Sequence, residues 1–234
     1  MLKKIDHTLL GTAYHTRLQS IFHFSMADYY KPGRTHFGCL KVINDDLIHV
    51  GSGHDLHKHK EVDILCYVVD GTLTHAVKGD GVKTLVEGDM YYMMAGQGIE
   101  HAEVNWGETS VRLLQLWFSP AKKNKEPGVA YATFNNVHDR NKWVCLGSRV
   151  TTSAIFEMNQ AVEVFICELE VKQDIEFNVK KDEQAYLVQI KGQARINDVE
   201  LAEKDGLEIY EEKIRLIALR PSLFIIVVMD KEHI

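Results

Sequence analysis

Two pairs of residues with metal-coordinating side chains stand in an i, i+2 relation in this sequence: His57-x-His59 and His101-x-Glu103. On a β-strand, residues i and i+2 project from one face, so each pair would present two donors side by side. Three imidazoles and a carboxylate could close on one divalent ion if the two strands were neighbours. A nitrogen and oxygen set without thiolate suits Fe(II), Mn(II), Co(II), Ni(II), Cu(II) or Zn(II). Four protein ligands on an octahedral ion leave two positions for water, substrate or dioxygen. One such pair among 12 histidines carries little weight, but two pairs within 50 residues, each beside a glycine-containing turn, carry more. Asp63 falls on the face of the first pair if no bulge intervenes. It is therefore expected to accept a hydrogen bond from the outer ring nitrogen of a liganding histidine.

The remaining candidates are read more plainly. His75 has the parity of the ligand face and could line the pocket rim, but a solvent-facing or hydrogen-bonded histidine is the favoured reading. His7, His15, His23, His36, His49, His138 and His233 lack a partner at ligand spacing and are expected to be surface or structural. Cys39, Cys66, Cys145 and Cys167 form no C-x-x-C pair and read as buried or idle thiols. Met90, Tyr91, Tyr92, Met93 and Met94 read as core filler, Trp106 and Trp117 as packing between domains, and Asp45 and Asp46 as an Asx-capped turn.

Strands must position these groups. Period-2 alternation and β-branched or aromatic runs recur in DILCYVVDGTLTHAV, VKTLVEGDMYYMMAG, SVRLLQLWFS, EVFICELEV, AYLVQIKGQARIN and RLIALRPSLFIIVVMD. Short strands at regular spacing with few helical stretches predict a mostly β chain of sandwich or barrel type. The polar segment 121–142 reads as a linker between an N-terminal domain at 1–120 and a C-terminal domain at 143–234. VVDGTLTH at 68–75 and VQIKGQARI at 188–196 are both strand, glycine turn, strand, which suggests an internal duplication. Superposing Gly192 on Gly71 sets Asn178 and Lys180 where His57 and His59 stand. A lysine ammonium is no ordinary ligand, so the second domain is expected to serve as scaffold.

Bulk properties narrow the function. A formal charge of −6 over 234 residues, with both signs interspersed, disfavours direct nucleic-acid binding. The longest apolar run, LFIIVVM at 223–229, is too short to span a bilayer, and the N-terminal stretch does not read as a signal peptide. A cytoplasmic protein without membrane partners is the expectation.

The order Gly51, His57-x-His59, Gly71, Gly88, His101 and Asn105 is similar to the two motifs of the cupin superfamily. More closely, FSMADYY (24–30), LKVINDDLI (40–48), HKHKEVDILCYVVDGTLTH (57–75) and GDMYYMMAGQGIEHAE (88–103) resemble the pirin family of bicupins in order and spacing. The resemblance implies two tandem cupin-type β-barrels with few short helices and one metal, usually iron, in the N-terminal barrel. It places the metal ligands at His57, His59, His101 and Glu103. It also implies one of two roles. Some bacterial members are quercetin 2,3-dioxygenases acting on flavonol or catechol-like aromatics, with Glu103 as ligand or proton acceptor, whereas animal pirins are nuclear iron proteins that assist transcription factors. The alternative to an enzyme is thus a metal-binding regulatory or redox-sensing protein with a protein partner. Lys58, Asp63 and His54 stand where that family usually has Pro, Glu and Phe.

Overall fold

Alternating and continuous apolar runs give 22 strands and a single short 3-10 turn among the described residues. The computed structural model describes residues 1–134 and 139–231, so His138 and His233 lie outside it. Among these residues no helix is long and apolar enough to cross a membrane.

The strands in chain order are β1 (Leu2–Ile5), β2 (Gly11–Tyr14), β3 (Leu18–Phe22), β4 (Leu40–Ile48), β5 (Gly53–His59), β6 (Asp63–Asp70), β7 (Thr72–Val77), β8 (Gly81–Val86), β9 (Asp89–Met94), β10 (Ile99–Val104), β11 (Val111–Phe118) and β12 (Gly128–Thr133). They continue with β13 (Val144–Ser148), β14 (Phe156–Glu157), β15 (Val162–Leu169), β16 (Asp174–Asn178), β17 (Glu183–Lys191), β18 (Gln193–Ile196), β19 (Val199–Ala202), β20 (Gly206–Tyr210), β21 (Lys213–Ala218) and β22 (Ser222–Asp230).

The chain forms two compact units, each of one seven-stranded and one four-stranded sheet. In the N-terminal unit the orders are β12-β9-β6-β11-β4-β3-β2 and β5-β10-β7-β8. In the C-terminal unit they are β1-β20-β17-β22-β15-β13-β14 and β16-β21-β18-β19. Within each unit the inner faces of the two sheets share one apolar core. Ile64, Cys66, Val68, Leu73, Met93 and Leu113 belong to the first, and Leu187, Ile196, Leu207, Leu216, Phe224 and Ile226 to the second.

The two orders coincide strand for strand through β9-β6-β11-β4 and β20-β17-β22-β15, as an internal duplication requires. Gly71 and Gly192 mark corresponding turns, with φ of 84° and 85°. A Cβ at either would meet a backbone oxygen, Ser110 O at 2.6 Å or Pro221 O at 2.1 Å, so only glycine fits.

The expected boundaries shift in two places. The first ten residues belong to the C-terminal unit, because β1 pairs with β20. The segment read as linker contains β12, which pairs along its length with β9 and closes the edge of the N-terminal sheet. Strand β12 therefore takes beside β9 the place that β1 takes beside β20. Pairing partners this distant in sequence leave no local signal.

Candidate metal centre

Strand β10 carries half of the centre and is held on both sides. Against β5 it sets His101 opposite His57 and Ile99 opposite His59, and against β7 it sets Glu103 opposite His75. The expected parity holds, and His57, His59 and His101 come together, with ring centroids 4.5 to 4.9 Å apart. One donor atom of each lies within 4.8 Å of those of the other two.

The outer nitrogens fix which atoms face inward. His57 Nδ1–H donates to the Asp55 carbonyl at 2.7 Å, which leaves Nε2 as its lone-pair nitrogen. His57 Nε2 and His59 Nε2 stand 2.9 Å apart. His101 Nδ1 meets His75 Nε2 at 2.9 Å, while His101 Nε2 has no hydrogen-bond partner although the residue is only 1% exposed. Burial chiefly, with the neighbouring imidazoles adding to it, depresses the pKa of His59 to about 4 and that of His101 to about 2. Burial thus favours the uncharged, ligand-competent form of His59 and His101. An orphaned buried nitrogen beside two imidazole nitrogens 2.9 Å apart fits a divalent transition ion, because ion–nitrogen bonds of about 2.1 Å put neighbouring ligands about 3 Å apart.

Glu103 stands apart from this trio. Its carboxylate is not among the donor atoms that lie together, and it accepts from Tyr91 Oη–H at 2.8 Å and from Gln115 Nε2 at 2.9 and 3.1 Å. Trp117 Nε1 donates to Gln115 Oε1 at 3.1 Å, which locks the amide with its nitrogen toward Glu103. Burial foremost, and then Glu103, raises the Tyr91 pKa well above its ordinary value, so the phenol stays a donor.

His57, His59 and Glu103 line one cavity of about 290 Å³ in the N-terminal unit. Leu18, Phe22 and Trp117 give it apolar walls, and the Trp117 and His59 rings meet edge to face at 4.9 Å. His54 stands at its margin with its ring 5.9 Å from that of His57. The opposite wall is polar: Ser20, Asn44 and Asp46.

Several side chains play parts that sequence reasoning assigned differently. His75 is hydrogen-bonded as expected, to His101 and Tyr131, but it is fully buried rather than solvent-facing or at the rim, and stacks on Tyr91 at 4.0 Å behind the centre. The acceptor role expected of Asp63 belongs to Asp55 O for His57 and to His75 for His101, since Asp63 begins β6 in the other sheet. Asp45 and Asp46 sit in mid-strand on β4 instead of in a turn. Asp45 makes a bidentate ion pair with Arg112 on one face, and Asp46 turns into the cavity on the other. Burial, with Glu103 and Asp45 adding to it, raises the Asp46 pKa to about 7 despite a hydrogen bond from Ser20. Trp117 packs into the cavity, whereas Trp106 is exposed.

In the C-terminal unit the corresponding cross-strand pair is Phe177 opposite Ile214, and not Asn178, because Phe177 rather than Asn178 faces inward. Val179 and Leu216 fill the neighbouring inward positions. A second grouping of donors in that unit, Asp6, His7 and Asp205, is an ion-pair cluster. His7 Nδ1 lies 2.7 Å and Lys4 Nζ 2.9 Å from the Asp205 carboxylate.

Comparison with known proteins places the chain among proteins of this architecture. The pirin family profile matches residues 5–118, and the quercetinase C-terminal cupin domain matches residues 146–228. A pirin-like protein of Caulobacter vibrioides is 32% identical over 97% of this chain and 99% of its own. A quercetin 2,3-dioxygenase of Escherichia coli K12 is 30% identical over 87% of each chain. A bacterial pirin of Escherichia coli, solved in complex with nickel(II), superposes with a TM-score of 0.92 at 28% identity, covering 99% of this chain and all of that one.

Proposed function

The chain belongs to the pirin family, and on that premise we propose that its N-terminal barrel is a metal-dependent dioxygenase of the quercetin 2,3-dioxygenase type, acting on flavonol or catechol-like aromatics. The observation that carries the reading is the convergence of three imidazoles, two of which line a 290 Å³ cavity with Phe22 and Trp117 in its walls, a volume suited to a small flat ligand. His57, His59 and His101 would hold the ion and Glu103 would complete the set, with iron assigned by family resemblance. The similarity to a nickel-bound pirin supports a divalent transition ion of this kind.

When bound, the ion would supply a Lewis acid for the substrate hydroxyl and a redox partner for dioxygen. The side chains do the rest. Trp117, Phe22 and Leu18 line the cavity with apolar surface that would pack on a ring and exclude water from it. Glu103, steadied by Tyr91 and Gln115, is the carboxylate placed to take the hydroxyl proton or to remain a ligand. His75 and the Asp55 carbonyl hold two imidazoles with Nε2 inward.

Iron-loaded protein mixed with quercetin under air tests the reading. Loss of the flavonol absorbance with matching oxygen uptake, absent from His101→Ala, is the expected result. Absence of metal-dependent ring opening in wild type would overturn it. Retained metal without turnover would instead favour a regulatory protein whose ion tunes a surface for a protein partner.

A further inference from the structure

The wall facing the histidines has no part in holding an ion, yet it is polar and buried. Pairing of β3, β4 and β11 sets Ser20 opposite Asp46 and Asn44 opposite both Phe22 and Gln115, so these side chains share the inward face of the sheet. Asn44 and Asp46 are 6% and 2% exposed, and both line the cavity. Asn44 Oδ1 and Asp46 Oδ1 accept no hydrogen bond among the described residues. Ser20 bonds Asp46 but leaves its Oδ1 open, and two buried oxygens left unpaired on neighbouring inward positions are costly to the fold unless water or a ligand pairs with them. The duplicated unit shows that the fold does not need them. Following the pairing outward from the shared glycine turn, the positions of Asn44 and Asp46 are filled there by Phe165 and Cys167.

We propose that Asn44 and Asp46 form a hydroxyl-recognition subsite, which accepts hydrogen bonds from hydroxyl groups on the edge of an aromatic ligand whose opposite edge meets the histidines. The inference rests on the aromatic-substrate reading of the cavity and deepens it. Leu18, Phe22 and Trp117 bind any flat ring, whereas the two carbonyl-type oxygens select rings that carry hydroxyl donors. The ligand class is therefore a polyhydroxylated aromatic rather than an aromatic with a single metal-directed hydroxyl.

The test is a fluorescence titration of nickel-loaded protein without oxygen, using quercetin and 3-hydroxyflavone, which lacks quercetin's other hydroxyls. Wild type is expected to prefer quercetin by tenfold or more, at roughly tenfold for each hydrogen bond. Asn44→Leu with Asp46→Leu should erase the preference while 3-hydroxyflavone binds as before. Asp46→Asn, which keeps size and an acceptor oxygen, should retain most of the preference and guards against a misfolded double variant. Metal content equal to wild type certifies each sample. A preference unchanged in the double variant overturns the subsite, and so does equal binding of both flavonols by wild type, with the aromatic reading left standing. Binding of neither flavonol by wild type overturns both.

Discussion

Where the N-terminal barrel carries Asn44, Gln115, Cys66 and Tyr91 across four paired strands, the C-terminal barrel carries Phe165, Ile226, Leu187 and Leu207 in the same order. Opposite this row, His57 and His101 face one another in the first barrel and Phe177 and Ile214 in the second. One topology thus encloses either a polar cavity or a packed apolar core. In the second barrel Phe177 lies edge to face with Trp143 and Phe165 at 5.2 and 5.3 Å, filling the space with aromatic rings. The difference shows that the strand order imposes neither filling. Buried imidazoles, a carboxylate and open acceptors weaken a core, so their presence in one copy is a mark of use.

Substitutions can break this contrast. The largest effect on stability is expected in the packed barrel. Phe224 is fully buried there, and Phe224→Ala should cost about 3–5 kcal/mol in chemical unfolding with metal content per folded chain unchanged. A loss of metal in that variant would show that the barrels are not independent in this respect.

Asp46→Asn should act with the opposite sign. In the folded chain Asp46 holds its proton to about pH 7, against an ordinary 3.8. A raised acid contributes fully below the lower value and loses that contribution as pH rises through the upper one. The variant should therefore be more stable than wild type at pH 8, by at most about 4 kcal/mol, and the gain should fade toward pH 5. Thermal unfolding at the two pH values gives the comparison, and a gain independent of pH would contradict it.

A smaller effect is expected at His75. Removing the group that bonds His101 Nδ1 should lower metal affinity 10- to 100-fold for His75→Ala, read by chelator competition, with His75→Gln recovering part of the loss. Undiminished affinity would make His75 a packing residue only.

Much of this was legible in the sequence. The two pairs of donors could be read because strand parity is local: His57 and His59 share a face wherever β5 lies, and His101 and Glu103 do so on β10. What escaped depends on pairing. His75 meets His101 only because β7 and β10 are neighbours. NDD on β4 resembles a turn by composition, yet it is held in mid-strand by β3 and β11, which send Asn44 and Asp46 inward and Asp45 to Arg112. The one-residue error between Asn178 and Phe177 arose because the turn glycines fix β17 and β18 but not the approach from β16. Strand β12 was hidden by linker-like neighbours, since an edge strand needs little apolar content to pair.

The proposed ion site lies in one barrel, between β5 and β10. Elemental mass spectrometry on untagged, iron-loaded protein, beside a His101→Ala, Glu103→Ala double variant, tests it most directly. About one ion per chain is expected in wild type and almost none in the variant, as a shared ligand set requires. Equal metal in the two proteins, or none in either after loading, would contradict it.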